Sequence, residues 1–259
     1  MTVIDAITLT AAAAAAGAVN AIAGGGTLLT FPTLLLIGTP ATVANATSTL
    51  ALVVGTAGSL FGYRRQIAAV RPWLRRFVPV SLLGGLLGGI LLTCTEEKVF
   101  AKMVPFLLLF ATILFLAQAP LRRFAGFADK SETTSPHHRV VWAAVLFQFF
   151  VALYGGYFGA GIGILMLASL GFLGLSDIHE MNALKTILGS LINLVAAAWF
   201  IWAGLIEWPK AVVMTGGALI GYYLGAHFSQ RIPQHRVRQI ITAIGFAISA
   251  VMFYKQFAP

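Results

Sequence analysis

The first candidates for chemistry in this chain are polar side chains set inside long apolar stretches. Four residues recur at spacings of three or four, which places them on one helix face: Asn182, Lys185, Gly189 and Asn193. An ionisable group inside a membrane helix is costly and usually functional, and a lysine there would attract a polyatomic anion. Lys185 also lies shortly after Glu180, about 7.5 Å along a helix axis, so its stem could instead reach the membrane surface. Both interpretations remain open.

A matching polar face occurs in the first half of the chain. The face that matches Asn182, Lys185, Gly189 and Asn193 carries Asn45, Ser48, Leu52 and Thr56, and Thr49 matches Thr186. Their amide and hydroxyl groups could donate hydrogen bonds to a ligand, or they could bond a neighbouring helix. The sequence alone does not separate these two roles.

Two glycine-rich stretches interrupt apolar segments at matching places. They are "NAIAGGGTLLTFP", from Asn20 to Pro32, and "YFGAGIGILM", from Tyr157 to Met166. Glycine costs about 1 kcal/mol relative to alanine inside a helix, so such clusters indicate a chain break rather than a continuous helix. We expect short helices to begin inside the membrane at about Thr27 and near Gly163. Unpaired N–H groups and the helix dipole at two such N-termini would form an anion site.

The predicted substrate site combines the two breaks with the two polar faces. Glycines can also simply let helices pack closely, and we prefer that role for "GGLLGG" (Gly84–Gly89) and for Gly221 and Gly225. The sequence gives no reason to expect a catalytic cluster, a metal or a cofactor. The candidate residues for binding substrate are Asn20, Gly24, Gly25, Gly26, Thr27, Asn45, Ser48, Thr49, Gly159, Gly161, Gly163, Asn182, Lys185 and Thr186.

The composition requires an apolar solvent around these elements. Of the 259 residues, 59% are hydrophobic and 10% are charged, whereas soluble domains carry roughly 25% charged residues. The apolar runs have helical rather than alternating patterns, so an all-α integral membrane protein is predicted. The net charge of +9 does not indicate nucleic acid, because the basic residues gather in short loops between apolar runs. The single cysteine, Cys94, excludes an internal disulfide framework.

The chain repeats itself at an offset of 137 residues. Gly24 and Gly26 fall on Gly161 and Gly163, and "NATST" falls on "NALKT". Each copy holds five apolar segments, of which the second is too short to cross the bilayer. The sequence therefore predicts a first repeat at 1–120, a cytoplasmic linker at 121–139 and a second repeat at 140–259. The apolar segments lie near 5–22, 26–38, 43–62, 74–93, 99–118, 140–157, 163–174, 180–203, 210–229 and 236–254.

Arginine-rich loops set the predicted orientation of the two copies. The segments Tyr63–Arg76, Leu121–Arg139 and Gln230–Arg238 are basic and are assigned to the cytoplasm. Both termini then lie outside, and the copies have opposite orientations. The predicted fold is a polytopic helical bundle of two inverted repeats, each with a broken or re-entrant short helix pair, giving about 8–10 membrane segments. Inverted repeats are typical of secondary transporters with a site between the halves.

These motifs resemble those of the TauE/SafE sulfite exporter family, also called the toluene sulfonate uptake permease family. The similarity rests on "GAVNAIAGGGTLLTFPTLL", "GYRRQI", "YGGYFGAGIGILMLASLGFLGL" and "MNALKTILGSLINLVAAAWF", and it runs from about residue 10 to 255. The resemblance implies a permease, and an exporter, for small sulfur-containing anions such as sulfite or organosulfonates. Many members have an asparagine–lysine pair where this chain has Ser48–Thr49, a departure that bears on the substrate.

The resemblance also sets the expected surroundings of the protein. The partners are a small sulfur-containing anion and the lipid bilayer, and the expected location is the cell inner (plasma) membrane with multiple passes. A coupled proton and a homodimer remain open, and nucleic acid is not a partner. The alternative functions are an anion channel and an uptake permease for a different small carboxylate or sulfonate. We expect no enzymatic activity.

The orientation generates a first prediction. Cysteines placed in the linker at 121–139 should react with an impermeant thiol reagent in inverted membrane vesicles but not in intact cells, because positive loops stay in the cytoplasm. Replacing the single native cysteine, Cys94, by serine removes the background label. Labelling of a linker cysteine from outside intact cells would overturn this topology.

Overall fold

A computed structural model describes the chain except for residues 23–24, 63–66, 127–137, 173–177, 229–233 and 258–259. The predicted Gly24, most of the linker at 121–139 and the first part of the Tyr63–Arg76 loop lie outside the described residues. The described part is all-helical, as predicted. It forms ten helices: α1 Val3–Ile22, α2 Thr27–Leu36, α3 Ala41–Gly62, α4 Ile67–Cys94, α5 Glu97–Gly126, α6 His138–Tyr157, α7 Ile162–Phe172, α8 Ile178–Trp202, α9 Trp208–Phe228 and α10 Gln234–Phe257.

The helix lengths separate membrane-crossing helices from shorter ones. α2 and α7 have 10 and 11 residues, so they rise only about 15–17 Å. Within the described residues, four helical segments are long and apolar enough to cross a bilayer: Val3–Ala21, Val70–Cys94, Glu97–Ala117 and Glu180–Trp202. The protein is therefore a multi-pass membrane protein that also contains two short apolar helices.

The two halves of the chain interlock. The first helix of each half packs along the fourth helix of the other half, α1 on α9 and α6 on α4. The third helices follow the same rule, since α3 packs on α9 and α8 on α4, while α5 and α10 pack on each other. Interchanging the halves thus reproduces the main helix pairs. This pairing brings α2 and α7, the two short helices, into the interior.

Glycines make the closest of these contacts possible. A Cβ on Gly221 would lie 1.9 Å from the carbonyl oxygen of Ala14, and one on Gly88 would lie 2.1 Å from that of Leu153. Such distances leave no room for a side chain, so the backbones of paired helices touch. The predicted packing role of Gly88 and Gly221 is confirmed.

Hydrogen bonds between side chains and backbone of different helices are concentrated at one end of the bundle. The Glu97 carboxylate, at the start of α5, accepts hydrogen bonds from the backbone N–H groups of Ala41 and Thr42 and from the Thr42 hydroxyl. It thereby satisfies donors that the first turn of α3 leaves unpaired, and it places a negative charge at the positive helix end. α3 and α5 consequently begin at the same end of the bundle.

A buried lysine extends this network to α9. Lys210 Nζ donates to the Thr39 hydroxyl at 2.8 Å and forms an ion pair of 2.9 Å with Glu207. The Glu207 N–H in turn donates to Thr47 Oγ1 of α3 at 3.2 Å. α9 therefore begins at the same end as α3 and α5, the arrangement that alternating membrane crossings require.

Two glycines of α9 give a matched test of this packing. Gly221→Ala should lower the melting temperature of the purified protein, because its methyl group meets the α1 backbone and overpacking costs about 1–3 kcal/mol. Gly216→Ala should keep or raise the melting temperature, since no atom lies within 4 Å of its added Cβ and alanine favours the helix. Thermal unfolding in one detergent measures both. Equal effects of the two substitutions would contradict the α1–α9 interface.

Candidate anion site at the two helix breaks

The first break is stabilised by contacts within its own half of the chain. Gly25 has a left-handed φ of +92°, and a Cβ there would lie 2.3 Å from the Phe115 ring. The Gly26 N–H donates to Asn20 Oδ1 at 2.7 Å. α2 then begins at Thr27, the residue predicted from the sequence. Asn20, predicted to bind substrate, thus accepts a hydrogen bond from the turn itself.

The first turn of α2 also uses part of its donor capacity internally. The Leu28 N–H donates to the Gly25 carbonyl oxygen at 3.0 Å, and the Leu29 N–H donates to that of Gly26 at 2.9 Å. Hydrogen bonds of this kind, between residues three apart in the chain, satisfy N–H groups that would otherwise be unpaired at a helix start. The first break therefore offers fewer donors to an anion than the sequence suggests.

The second break has two left-handed glycines. Gly159 and Gly161 have φ values of +81° and +82°, and α7 begins directly afterwards at Ile162. This start agrees with the one predicted near Gly163. The Tyr154 hydroxyl donates to the Ala160 carbonyl oxygen at 2.8 Å, so a side chain of α6 holds the segment between the glycines.

α3 also holds the second break. The buried Asn45 amide donates through Nδ2 to the Tyr157 carbonyl oxygen at 2.9 Å, which connects the two halves. Asn45 Oδ1 is buried and has no hydrogen-bond partner. This residue therefore performs the helix-bonding role that the sequence left open, and it also places an unsatisfied acceptor beside the break.

The two breaks lie on the same stretch of α5. Gly25 faces the Phe115 ring, while a Cβ on Gly161 would lie 3.5 Å from Leu114 Cδ1 and 3.7 Å from the Ala111 carbonyl oxygen. Phe31 of α2 and Phe158 also pack edge to face, with 5.3 Å between ring centroids. The starts of α2 and α7 are thus brought together around α5 in the protein interior.

Lys185 lies against the start of α7. A Cβ on Gly163 would lie 3.3 Å from Lys185 Cδ and 3.9 Å from Cε, so the lysine stem crosses the space that Gly163 leaves. Gly163 is in the first turn of α7, whose far end is at Phe172. A helix N-terminus carries about half a positive charge, and the Lys185 stem lies beside this one. Lys185 is partly buried.

The remaining predicted residues are divided between helix contacts and partly exposed positions. Ser48 is fully buried and its hydroxyl shares a 2.6 Å hydrogen bond with Thr30 of α2. The Thr49 hydroxyl donates to the Asn45 carbonyl oxygen at 2.8 Å, within α3. Asn182 and Thr186 are partly buried on α8. In both halves, therefore, the residue at the position of Ser48 or Lys185 contacts the beginning of the adjacent short helix.

Sequence reasoning missed Glu97, Lys210 and Phe115. Each acts on a partner far away in the chain: Phe115 on Gly25, Glu97 on the start of α3, and Lys210 on Thr39. Position next to a helix start was the one available signal for Glu97 and Lys210, and it does not identify a partner. Among the residues described, no three His, Cys, Asp or Glu side chains are grouped to hold a metal ion.

The helical bundle and its interior helix breaks define a polytopic membrane protein of the transporter class. The family model for "Sulfite exporter TauE/SafE" matches residues 9–252, and the chain belongs to that family. It is a family of membrane transporters, not of enzymes.

Similar proteins have the same general description. A "Probable membrane transporter protein" of Haemophilus influenzae is 31% identical over 242 residues, covering 92% of this chain and 90% of that protein. "Probable membrane transporter protein ORF9" of Sinorhizobium sp. is 26% identical, covering 92% and 88%. "Probable membrane transporter protein YfcA" of Escherichia coli K12 is 25% identical, covering 93% and 85%. No solved structure gives a significant match.

Substitutions at two left-handed glycines can distinguish the effect of backbone strain from a role in substrate binding. Gly161 and Gly204 have similar φ values of +82° and +71°, and a Cβ on Gly204 would meet nothing within 4 Å. Leucine at either position should cost about 1–3 kcal/mol in backbone strain. Gly161→Leu should abolish transport in proteoliposomes, because the side chain enters between α5 and the start of α7. Gly204→Leu should transport normally once its yield is matched, and normal transport by Gly161→Leu would exclude the second break as a substrate site.

Proposed function

We propose that this protein is a secondary permease that exports small sulfur-containing anions, such as sulfite or organosulfonates, across the inner (plasma) membrane. The proposal combines family membership with the interior position of the two helix breaks. The substrate site lies between the starts of α2 and α7, with Lys185 as its cationic residue. Neither a cofactor nor a metal takes part.

The contact between Lys185 and Gly163 is the observation on which the proposal depends most. The Lys185 stem lies against the first turn of α7, where the positive end of the helix dipole is found. An anion bound between the ammonium group and the helix start would be attracted by both. An oxyanion or sulfonate has several acceptor oxygens, so it can meet both the ammonium group and backbone donors.

Two inverted repeats would give this site its alternating access. The 137-residue sequence offset and the helix pairs that interchange between halves both support repeats at 1–120 and 140–259, joined by the linker at 121–139. Transporters of this design bind substrate near the midplane, between the repeats, where broken helices present their N-termini. The two short helices of this protein fit that position.

Charge asymmetry favours export. In the arginine-derived topology Lys185 lies in the cytoplasmic half of α8, whereas its counterpart Ser48 is neutral and bonded to Thr30. A cytoplasmic anion would therefore meet a cation at entry, whereas the matching position of the outer half carries no charge. The membrane potential, negative inside, adds about 2.3 kcal/mol per charge per 100 mV in favour of outward anion movement. A coupled proton would change this balance, and the coupling is best read from flux under imposed pH gradients.

Substitution of Lys185 tests the proposed site. Lys185→Gln should weaken binding of sulfite or an organosulfonate by about 1–3 kcal/mol, the scale of a charged hydrogen bond, while Lys185→Arg should keep part of the affinity. Lys255→Gln, which removes an exposed lysine at the end of α10, is the matched control and should bind normally. Calorimetry on the purified proteins measures all three. Unchanged affinity in Lys185→Gln would assign the lysine to the membrane surface.

Flux measurements separate the permease from its alternatives. A permease should give an anion flux that saturates with substrate concentration and that is coupled to a second ion in a defined ratio. The current through an anion channel should keep rising over the same range of concentration. A panel of sulfite, thiosulfate, sulfate, sulfoacetate and taurine tests the substrate class. Transport of small carboxylates in preference to all of these anions would favour the uptake permease for a different substrate.

A further inference from the structure

A groove of about 470 Å³ opens on the periphery of the bundle, between α4, α5 and α6. Its walls are almost entirely apolar, and residues from all three helices line it: Leu91, Val99, Met103, Leu107, Phe150 and Leu153. Several of these side chains are exposed, Phe150 by 56% and Leu91 by 49%. In a membrane this surface faces the hydrocarbon, so the groove lies open to the lipid.

We propose that this groove binds one acyl chain of an anionic phospholipid, with the phosphate group held by Lys98 and Lys102. The proposal concerns a binding site on the membrane-facing surface, separate from the substrate site between α2 and α7. Its occupant is a lipid because the apolar walls match hydrocarbon and basic side chains stand at the membrane-surface end.

The length of the groove matches one leaflet. Along α5 it extends from Val99 to Leu107, a rise of about 12 Å, and half of a hydrocarbon core of about 30 Å is about 15 Å. It begins beside Thr95, in the turn between α4 and α5, where the charged residues of this end are found. A chain entering from that surface would therefore stay within a single leaflet.

The charges at the entrance favour an anionic headgroup. Lys98 and Lys102 are exposed in the first turns of α5, and Lys102 follows the groove residue Val99 by three positions, which makes the two neighbours on the helix surface. Of the two nearby acidic residues, Glu97 is hydrogen-bonded to the start of α3 through both of its carboxylate oxygens. Glu96 is exposed and reduces the attraction without cancelling two lysines. Long lysine stems can lie along apolar surface while their ammonium groups reach the headgroup level.

The inner wall of the groove leads to the second helix break. Tyr154 and Tyr157 both line it. The Tyr154 hydroxyl holds the Ala160 carbonyl oxygen, and the Tyr157 carbonyl oxygen accepts the Asn45 amide. Where the proposed function holds, a bound acyl chain would therefore stabilise the residues that position the start of α7. Lipid binding itself does not depend on what the protein transports.

Native mass spectrometry of the delipidated protein, titrated with phosphatidylglycerol or phosphatidylcholine, tests this site. The wild-type protein should bind phosphatidylglycerol more tightly. The double variant Lys98→Gln/Lys102→Gln should lose roughly 10- to 30-fold in phosphatidylglycerol affinity, from about fivefold per lysine, and should bind phosphatidylcholine as before. Val99→Trp, which fills the groove with a large side chain, should weaken both lipids.

A matched charge control uses the opposite end of α4. Arg71→Gln/Arg75→Gln removes two exposed positive charges far from the groove and should leave both affinities unchanged. Equal affinity of the wild-type protein for the two lipids, or equal losses in the arginine and lysine variants, would overturn the headgroup assignment. Unchanged binding by Val99→Trp would overturn the groove, and so would a wild-type dimer that this variant converts to monomer, because a second copy would then be its occupant.

Discussion

Backbone polar groups inside a bilayer must be hydrogen-bonded within the protein, and this constraint governs the rest of the structure. Each unsatisfied N–H or C=O costs several kcal/mol in hydrocarbon, so a helix that breaks in the interior needs partners and cover. Asn20 supplies a partner at the first break, and Tyr154 and Asn45 supply partners at the second. The interlocked halves shield the breaks from lipid. Glycine contacts let α1 pack closely on α9, and α4 on α6, on either side of the short helices.

The same need for partners makes the two breaks unequal. Asn20 and the Phe115 ring close around the first break, and the adjacent polar position, Ser48, is bonded to Thr30. At the second break the equivalent position is Lys185, laid across Gly163. The lysine stem therefore lies at the start of α7, whereas the matching position beside α2 is neutral and hydrogen-bonded. Under the proposed function, this difference would make the substrate site asymmetric and would give a physical basis for a preferred direction of transport.

Features that depend on local sequence were predictable, and features that depend on distant partners were not. Glycine and apolar periodicity placed the ten helices and the start of α2 at Thr27, because chain breaks and helix lengths are local properties. The start of α7 at Ile162, near the predicted Gly163, follows from the same local signal, because the left-handed Gly161 ends the break. The contact of Phe115 with Gly25 and the bond from Lys210 to Thr39 join residues far apart in the chain, so they follow from packing that no local pattern encodes.

The most direct test of the account is the position of a bound anion. Selenite is a heavier analogue of sulfite, and anomalous diffraction from crystals soaked in it locates selenium without reference to transport. The account predicts one peak placed so that the selenite oxygens around it can accept hydrogen bonds from Lys185 Nζ and the first turn of α7, and its loss in Lys185→Gln crystals. A peak at Lys210 on the opposite side of the bundle, with none beside Lys185, would contradict the central claim.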